Sequence, residues 1–421
     1  MCLGDVMSLF ALIACLFTLA AVFSYINFRY LGLPNSVGLM LLAFALSFSL
    51  IVLLHLGVDL TTWANLILSK IEFSEALMQG MLSFLLFASA LQVNLEELWH
   101  EKWMVLLLST IGMLFSTVII GALAFLLLRF SGLALSFGYC LLFGSLISPT
   151  DPIAVLSLLR KMGAPSSLIA RVGGESLFND GMGIALFACL LPLALHGQNF
   201  SLLYFLKEFL FHTLGGVAFG FVAGWITYLL LKTVDDYEVE ILLTLGLVSG
   251  GYLLASLLSV SAPIAVVVAG ILIGNRGRMF AMSEKTRLHL DIFWDVTDQI
   301  LNAILFVLIG LELLRLPLTV RYYLVGTAMI PLALISRWLS VGATLTLLGP
   351  YQEIERGTVT LLTWGGLRGG ISIAMALSLP PSLARDVFVA STYAIVTFSI
   401  IIQGTTVKKF ISHYVQFQQL S

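Results

Sequence analysis

The stretch Arg171–Leu191, RVGGESLFNDGMGIALFACLL, interrupts an apolar run with Glu175, Ser176, Asn179 and Asp180. At about 100° per residue, a helix sets Ser176 and Asp180 on one stripe and Glu175 and Asn179 on the next. One carboxylate then has a hydroxyl a turn away, beside a second carboxylate with an amide. Such an oxygen-rich face suits a hard cation; no His or Cys accompanies it, which disfavours zinc and softer metals. Two other polar interruptions stand in apolar surroundings. Thr150 and Asp151 lie between Pro149 and Pro152 in CLLFGSLISPTDPIAVLSLL, and Arg368 lies among four glycines in TLLTWGGLRGGISIAMALSL. Arg337 is a further charge inside an apolar run.

The elements that must position these residues are membrane spans. The chain has 421 residues, 59% hydrophobic and 10% charged, with mean hydropathy +1.04. Soluble domains carry about 25% charged residues, so this is an integral, all-α polytopic membrane protein. The net charge is −2 and there is no basic block, which argues against a nucleic-acid partner. The four cysteines are far apart and the six histidines scattered, so neither a disulfide frame nor a metal cluster is expected, and no cofactor. The N-terminus lacks the basic region of a cleavable signal.

At about 20 apolar residues per span, about thirteen spans are expected. They lie near 6–28, 35–57, 73–93, 103–128, 134–159, 166–195, 203–231, 238–258, 262–275, 293–314, 322–348, 356–379 and 386–406. Residues 59–71 read as a candidate interfacial helix, and 274–278 (GNRGR) as a cytoplasmic loop. No soluble tail domain is expected, and residues 1–421 are expected to form one integral membrane unit. With the C-terminus in the cytoplasm, twelve Lys and Arg fall on the cytoplasmic side, six opposite and three within spans. That bias predicts N-terminus out and C-terminus in.

Spans five and twelve cannot run as unbroken helices, because of Pro149 and Pro152 in one and the four glycines in the other. A discontinuous span in each half is the mark of an inverted-repeat transporter with a site at mid-membrane. A charge there costs at least about 2.5–3.5 kcal/mol, so Asp151, Glu175, Asp180, Arg337 and Arg368 each need a partner or a task. If the breaks cross, Asp151 neutralises facing helix N-termini and Arg368 facing C-termini. The five charges leave one net negative, to be filled by a proton or one monovalent cation. Asp180 is the expected titrating group, because Glu175 has candidate basic partners in Arg337 and Arg171. The hydroxyls of Ser176 and Thr150 have the alternative of bonding to their own helices. Glu75, Asp298 and Glu312, nearer span ends, read as interfacial or packing residues.

The segments SPTDP (Ser148–Pro152), GESLFNDG (Gly174–Gly181), ISRW around Arg337, LIGLEL (Leu308–Leu313) and WGGLRGGIS (Trp364–Ser372) resemble, in order and spacing, those of the NhaP/NHE-type monovalent cation–proton antiporters. The resemblance covers almost the whole chain. It implies thirteen spans with two discontinuous crossing helices, and a homodimer. It also implies a transport bundle (spans about 103–195 and 322–406) moving against a dimerisation scaffold. Asp180 would bind cation and proton alternately, with oxygens from Ser176 and Thr150 and with Asp151 at the crossing. Glu175 would pair with Arg337, and Asn179 before Asp180 implies one-for-one electroneutral exchange. The exchange would be of Na+ (or Li+) for H+, with K+/H+ exchange as the alternative, in a bacterial inner membrane. One departure stands out: relatives often carry Glu in the third span where this chain has Ala88, which bears on ion affinity and preference.

Two other classes compete. An intramembrane aspartyl enzyme would use Asp151 and Asp180, but buried arginines would depress the shared pKa that such a dyad needs. A cation channel wants rings of carbonyls or charges, which a single off-axis Asp does not supply. Transport without enzymatic chemistry is the expectation.

Overall fold

The computed structural model describes residues 9–56, 80–196, 202–315, 319–349 and 357–420. It is helical throughout these residues, with no strand beyond one isolated bridge between Asp151 and Leu367. The helices are α1 (Leu9–Ile26), α2 (Asn35–His55), α3 (Leu82–Leu91), α4 (Leu95–His100), α5 (Lys102–Phe130), α6 (Phe137–Ile147), α7 (Ile153–Lys161) and α8 (Ser166–His196). Then follow α9 (Leu202–Leu231), α10 (Tyr237–Leu257), α11 (Ala262–Phe280), α12 (Glu284–Glu312), α13 (Val320–Leu348), α14 (Thr358–Gly365), α15 (Gly370–Leu377), α16 (Leu383–Phe398) and α17 (Gly404–Leu420).

Among the described residues, ten helices are long and apolar enough to cross a membrane. They correspond to ten of the expected spans. The fifth and twelfth are instead pairs of short helices, α6–α7 and α14–α15. The third is described only from residue 80, and the number thirteen stays an expectation. The candidate interfacial helix at 59–71 and Glu75 lie outside the described residues.

Local chemistry sets the helix starts. Asn94 caps α4 by accepting from the Glu96 amide (2.9 Å), and Asp236 caps α10 by accepting from that of Glu238 (2.9 Å). α6 ends where Pro149 and Pro152 forbid continuation, and Pro152 stands at the start of α7, where a missing N–H costs nothing. The ninth span is longer than its hydropathy suggests. GNRGR is not a loop: Ile273–Gly277 is a π-helical turn that carries the helix on to Phe280. Asn275 explains it, since its side chain accepts from the Leu95 amide (2.8 Å) and donates to the Val93 carbonyl (3.0 Å), pinning the polar turn to the α3–α4 link.

Packing divides along the chain. α5, α6, α8, α13 and α16 pack on one another, α12 packs on α2, α3 and α10, and α9 packs on α11. Gly144 lets α6 touch the α5 backbone at Thr117, where a Cβ would collide with the carbonyl. Leu203, Leu214, Phe221, Leu242 and Leu253 on α9 and α10 are exposed, as a lipid-facing surface requires.

Candidate functional site

The two breaks meet. The Asp151 amide donates to the Leu367 carbonyl (2.8 Å), joining the chain between α6 and α7 to that between α14 and α15. The Arg368 guanidinium Nη1 donates to the carbonyls of Ser148 (2.7 Å) and Pro149 (2.9 Å), just past the C-terminal end of α6. That is the expected neutralisation of orphaned carbonyls by a cation. The Arg368 amide is held by the Ser399 hydroxyl (2.8 Å). Asp151 lies against Gly369 at the start of α15: a Cβ on that glycine would sit 2.5 Å from Oδ2. The carboxylate therefore faces a helix N-terminus, and glycine is what allows the approach.

The polar face of α8 clamps the first break. Asn179 accepts from the Thr150 amide (3.1 Å) and donates to the Thr150 hydroxyl (2.9 Å), while the Ser176 hydroxyl donates to the Thr150 carbonyl. The hydroxyl of Thr150 in turn bonds that of Ser176 (3.3 Å). Neither hydroxyl is spent on its own helix; each crosses between elements, so the reading of helix-internal bonds is corrected.

The ion pairs resolve the arginines. Arg337 Nη2 lies 2.5 Å from Glu175 Oε1, both side chains buried, and ties α13 to α8. Arg171 has its own partner. It pairs bidentately with Glu101 at the start of α5 (Nε–Oε2 2.7 Å, Nη2–Oε1 3.1 Å). Stripe geometry missed Glu101 because it says nothing of which helices adjoin.

Asp180 is left over. It is only 9% exposed, and among the described residues no hydrogen bond or ion pair ends on its carboxylate. It lines two cavities. The inner one, about 60 Å³, reaches Thr150, Asp151, Gly369 and Ser372 at the crossing; the outer one, about 330 Å³, reaches Gln92, Asn94, Glu97 and Arg160. Ser176, although on the same helical stripe, lines neither; it borders a separate small cavity with Glu175 and Arg337. Ala88 borders a fourth space with Asp291, Asp295 and Trp294, apart from Asp180. The inner cavity also holds a residue that sequence reasoning set aside. Asp298 on α12 is half-buried and lines both cavities with Asp180, a placement that its position near a span end did not give, and the five-charge sum omitted a carboxylate of the cavity. The signal was its place three residues upstream of a long apolar run, which gives depth but not the face.

Residues 17–413 match the family model described as sodium/hydrogen exchanger, transmembrane. The chain belongs to the sodium/hydrogen exchanger family. Among members of this family it is 45% identical over 403 residues to the Na+/H+ antiporter NhaP of Pseudomonas aeruginosa, covering 94% of this chain and 95% of that one. It is 34% identical over 351 residues to the Na+/H+ antiporter NhaH of Halobacillus dabanensis, covering 80% and 83%. In fold it is similar to the sodium proton antiporter MjNhaP1 from Methanocaldococcus jannaschii at pH 8, with TM-score 0.75 at 18% identity over 97% of this chain and 100% of that one. The exchanger family thus accounts for the apolar helices, the two broken spans and the integral membrane character read from the sequence.

Proposed function

We propose that this protein is a secondary antiporter exchanging Na+ or Li+ for H+, one for one, by alternating access of a mid-membrane site centred on Asp180. The observation that carries the reading is a nine-tenths-buried carboxylate with no hydrogen bond or ion pair among the described residues, facing a cavity beside two crossing broken helices. A buried charge that stays unpaired is costly unless something binds it. A proton or a cation fills the role alternately, and competition for one carboxylate couples the two fluxes. The relatives named as Na+/H+ antiporters support this assignment. Thr150 and Asp151 border the same cavity and are proposed cation contacts; Ser176 acts by holding the Thr150 carbonyl and is the fourth member of the set. Glu175–Arg337, Asn179 and Arg368 hold the frame. We further propose a homodimer in a bacterial inner membrane, N-terminus outside and C-terminus in the cytoplasm. In it, spans about 103–195 and 322–406 move against the remaining scaffold.

The test is reconstitution into proteoliposomes with a trapped pH dye and an imposed Na+ gradient, the voltage held at zero by K+ and valinomycin. Proton movement opposite to Na+ and indifferent to an imposed voltage is expected. Movement that accelerates with voltage would overturn the one-for-one stoichiometry. Protons driven only by a K+ gradient, measured without valinomycin, would replace Na+ by K+. Cation flux with no counter-movement of protons would point to a channel and sink the antiporter.

Gly369→Ala supplies a local check. The added methyl would press on the Asp151 carboxylate and shift it or the start of α15. Exchange is expected to slow about tenfold or more, since displacements near 1 Å at a site cost about a hundredfold, with expression unchanged. Wild-type rates in Gly369→Ala would mean the contact is not felt during transport.

A further inference from the structure

Five residues line both cavities: Leu86, Ser89, Pro152, Asp180 and Asp298. Only Asp180 and Asp298 of these carry charge. They come from different parts of the molecule, Asp180 from α8 and Asp298 from α12, which packs on α2, α3 and α10. An ion moving between the outer cavity and the crossing therefore meets two carboxylates that line both spaces. Asp180 is nine-tenths buried, aimed into this passage and without a hydrogen bond among the described residues. Asp298 is more accessible, and Asn302, one turn further along α12 and also on the inner cavity, hydrogen bonds to it. The other charges on the two cavities are Asp151 at the crossing, Asp295 one turn before Asp298 on its own helix, Glu97 on α4 and Arg160 on α7. Negative charge predominates along the path, and Arg160 stands at its outer part.

We propose that Asp298 is the receiving carboxylate of this passage: it holds the monovalent cation in the outer cavity before Asp180 takes it, and so determines the apparent affinity for the cation. The inference rests on the antiporter reading above and adds to it a stationary site on the scaffold side. A cavity lined by one sign of charge raises the local concentration of the opposite ion. A carboxylate at its neck gives a dehydrating cation a partner before it reaches the buried one. Asp298 is then a specificity and positioning residue. Proton coupling remains with Asp180, so loss of the Asp298 charge weakens cation capture and spares the exchange step.

The measurement is Na+-driven proton movement in proteoliposomes as a function of Na+ concentration, for wild type, Asp298→Asn, Asp298→Ser and Asp298→Glu. The two neutral variants are expected to raise the half-saturating Na+ about fivefold to tenfold, with the maximal rate within about twofold of wild type. Asp298→Glu is expected to keep the wild-type value. Agreement between Asn and Ser separates loss of charge from loss of packing at a half-buried position. An unchanged half-saturating concentration in both neutral variants overturns the proposal, as does a fall in maximal rate at constant half-saturation. If wild type moves no protons under a gradient of Na+, Li+ or K+, the antiporter reading itself fails; a working wild type with unaltered neutral variants removes only the role given to Asp298.

Discussion

Asp180→Asn is expected to abolish cation-driven proton movement, lowering the rate by at least about a hundredfold, the scale of removing a group that must exchange a proton. Asparagine has nearly the shape of aspartate but can neither lose a proton nor offer a negative charge. Because no described residue hydrogen bonds or forms an ion pair with Asp180, the nearly isosteric substitution removes no hydrogen bond or ion pair of the described fold. The variant should therefore insert, purify and unfold like wild type. This separates Asp180 from Glu175, whose charge is bound to Arg337. The check is the trapped-dye assay in proteoliposomes, with purified yield and thermal unfolding as controls. Undiminished proton movement in Asp180→Asn would refute the site, and loss of folding would show that the carboxylate is structural after all.

Arg337→Leu should be the most destabilising single change in the bundle. It leaves the buried Glu175 without its ion-pair partner; removing one partner of a buried pair costs about 3–5 kcal/mol, whereas removing both is often near neutral. The thermal unfolding midpoint in detergent is expected to drop by several degrees in Arg337→Leu and in Glu175→Leu, and to recover by more than half in the double variant. Additive losses would mean that each residue matters through other contacts, such as that of Arg337 with the Leu362 carbonyl (3.4 Å). The recovery would also assign Glu175 to the frame and not to the transported ion.

Some of this was legible in the sequence because it is local. Proline and glycine declare where a helix must stop, so the two broken spans are readable at Pro149, Pro152 and the four glycines around Arg368. Charge inside an apolar run declares a cost, so Asp151, Glu175, Asp180, Arg337 and Arg368 stand out. Other features failed for equally physical reasons. A hydropathy window ends at its first polar residues and so truncated α11 at Asn275, whereas Asn275 is satisfied by Val93 and Leu95 and the helix continues. Arg171 was matched to the carboxylate one turn away, but a bidentate partner, Glu101, was available on a neighbouring helix.

By itself, then, the sequence determined that the chain is a helical membrane protein, where its helices break, and which charges are buried. Each of these follows from the cost of placing a backbone group or a charge in lipid, paid residue by residue. The tertiary structure alone decided which charges are neutralised and which remain available. It brought the breaks together through Asp151 and Leu367 and put Arg368 on the open carbonyls of Ser148 and Pro149. It gave Arg337 to Glu175, and it left Asp180 lining a cavity together with Asp298. Pairing depends on which helices adjoin and which faces they present, and helical periodicity carries no information about the neighbour.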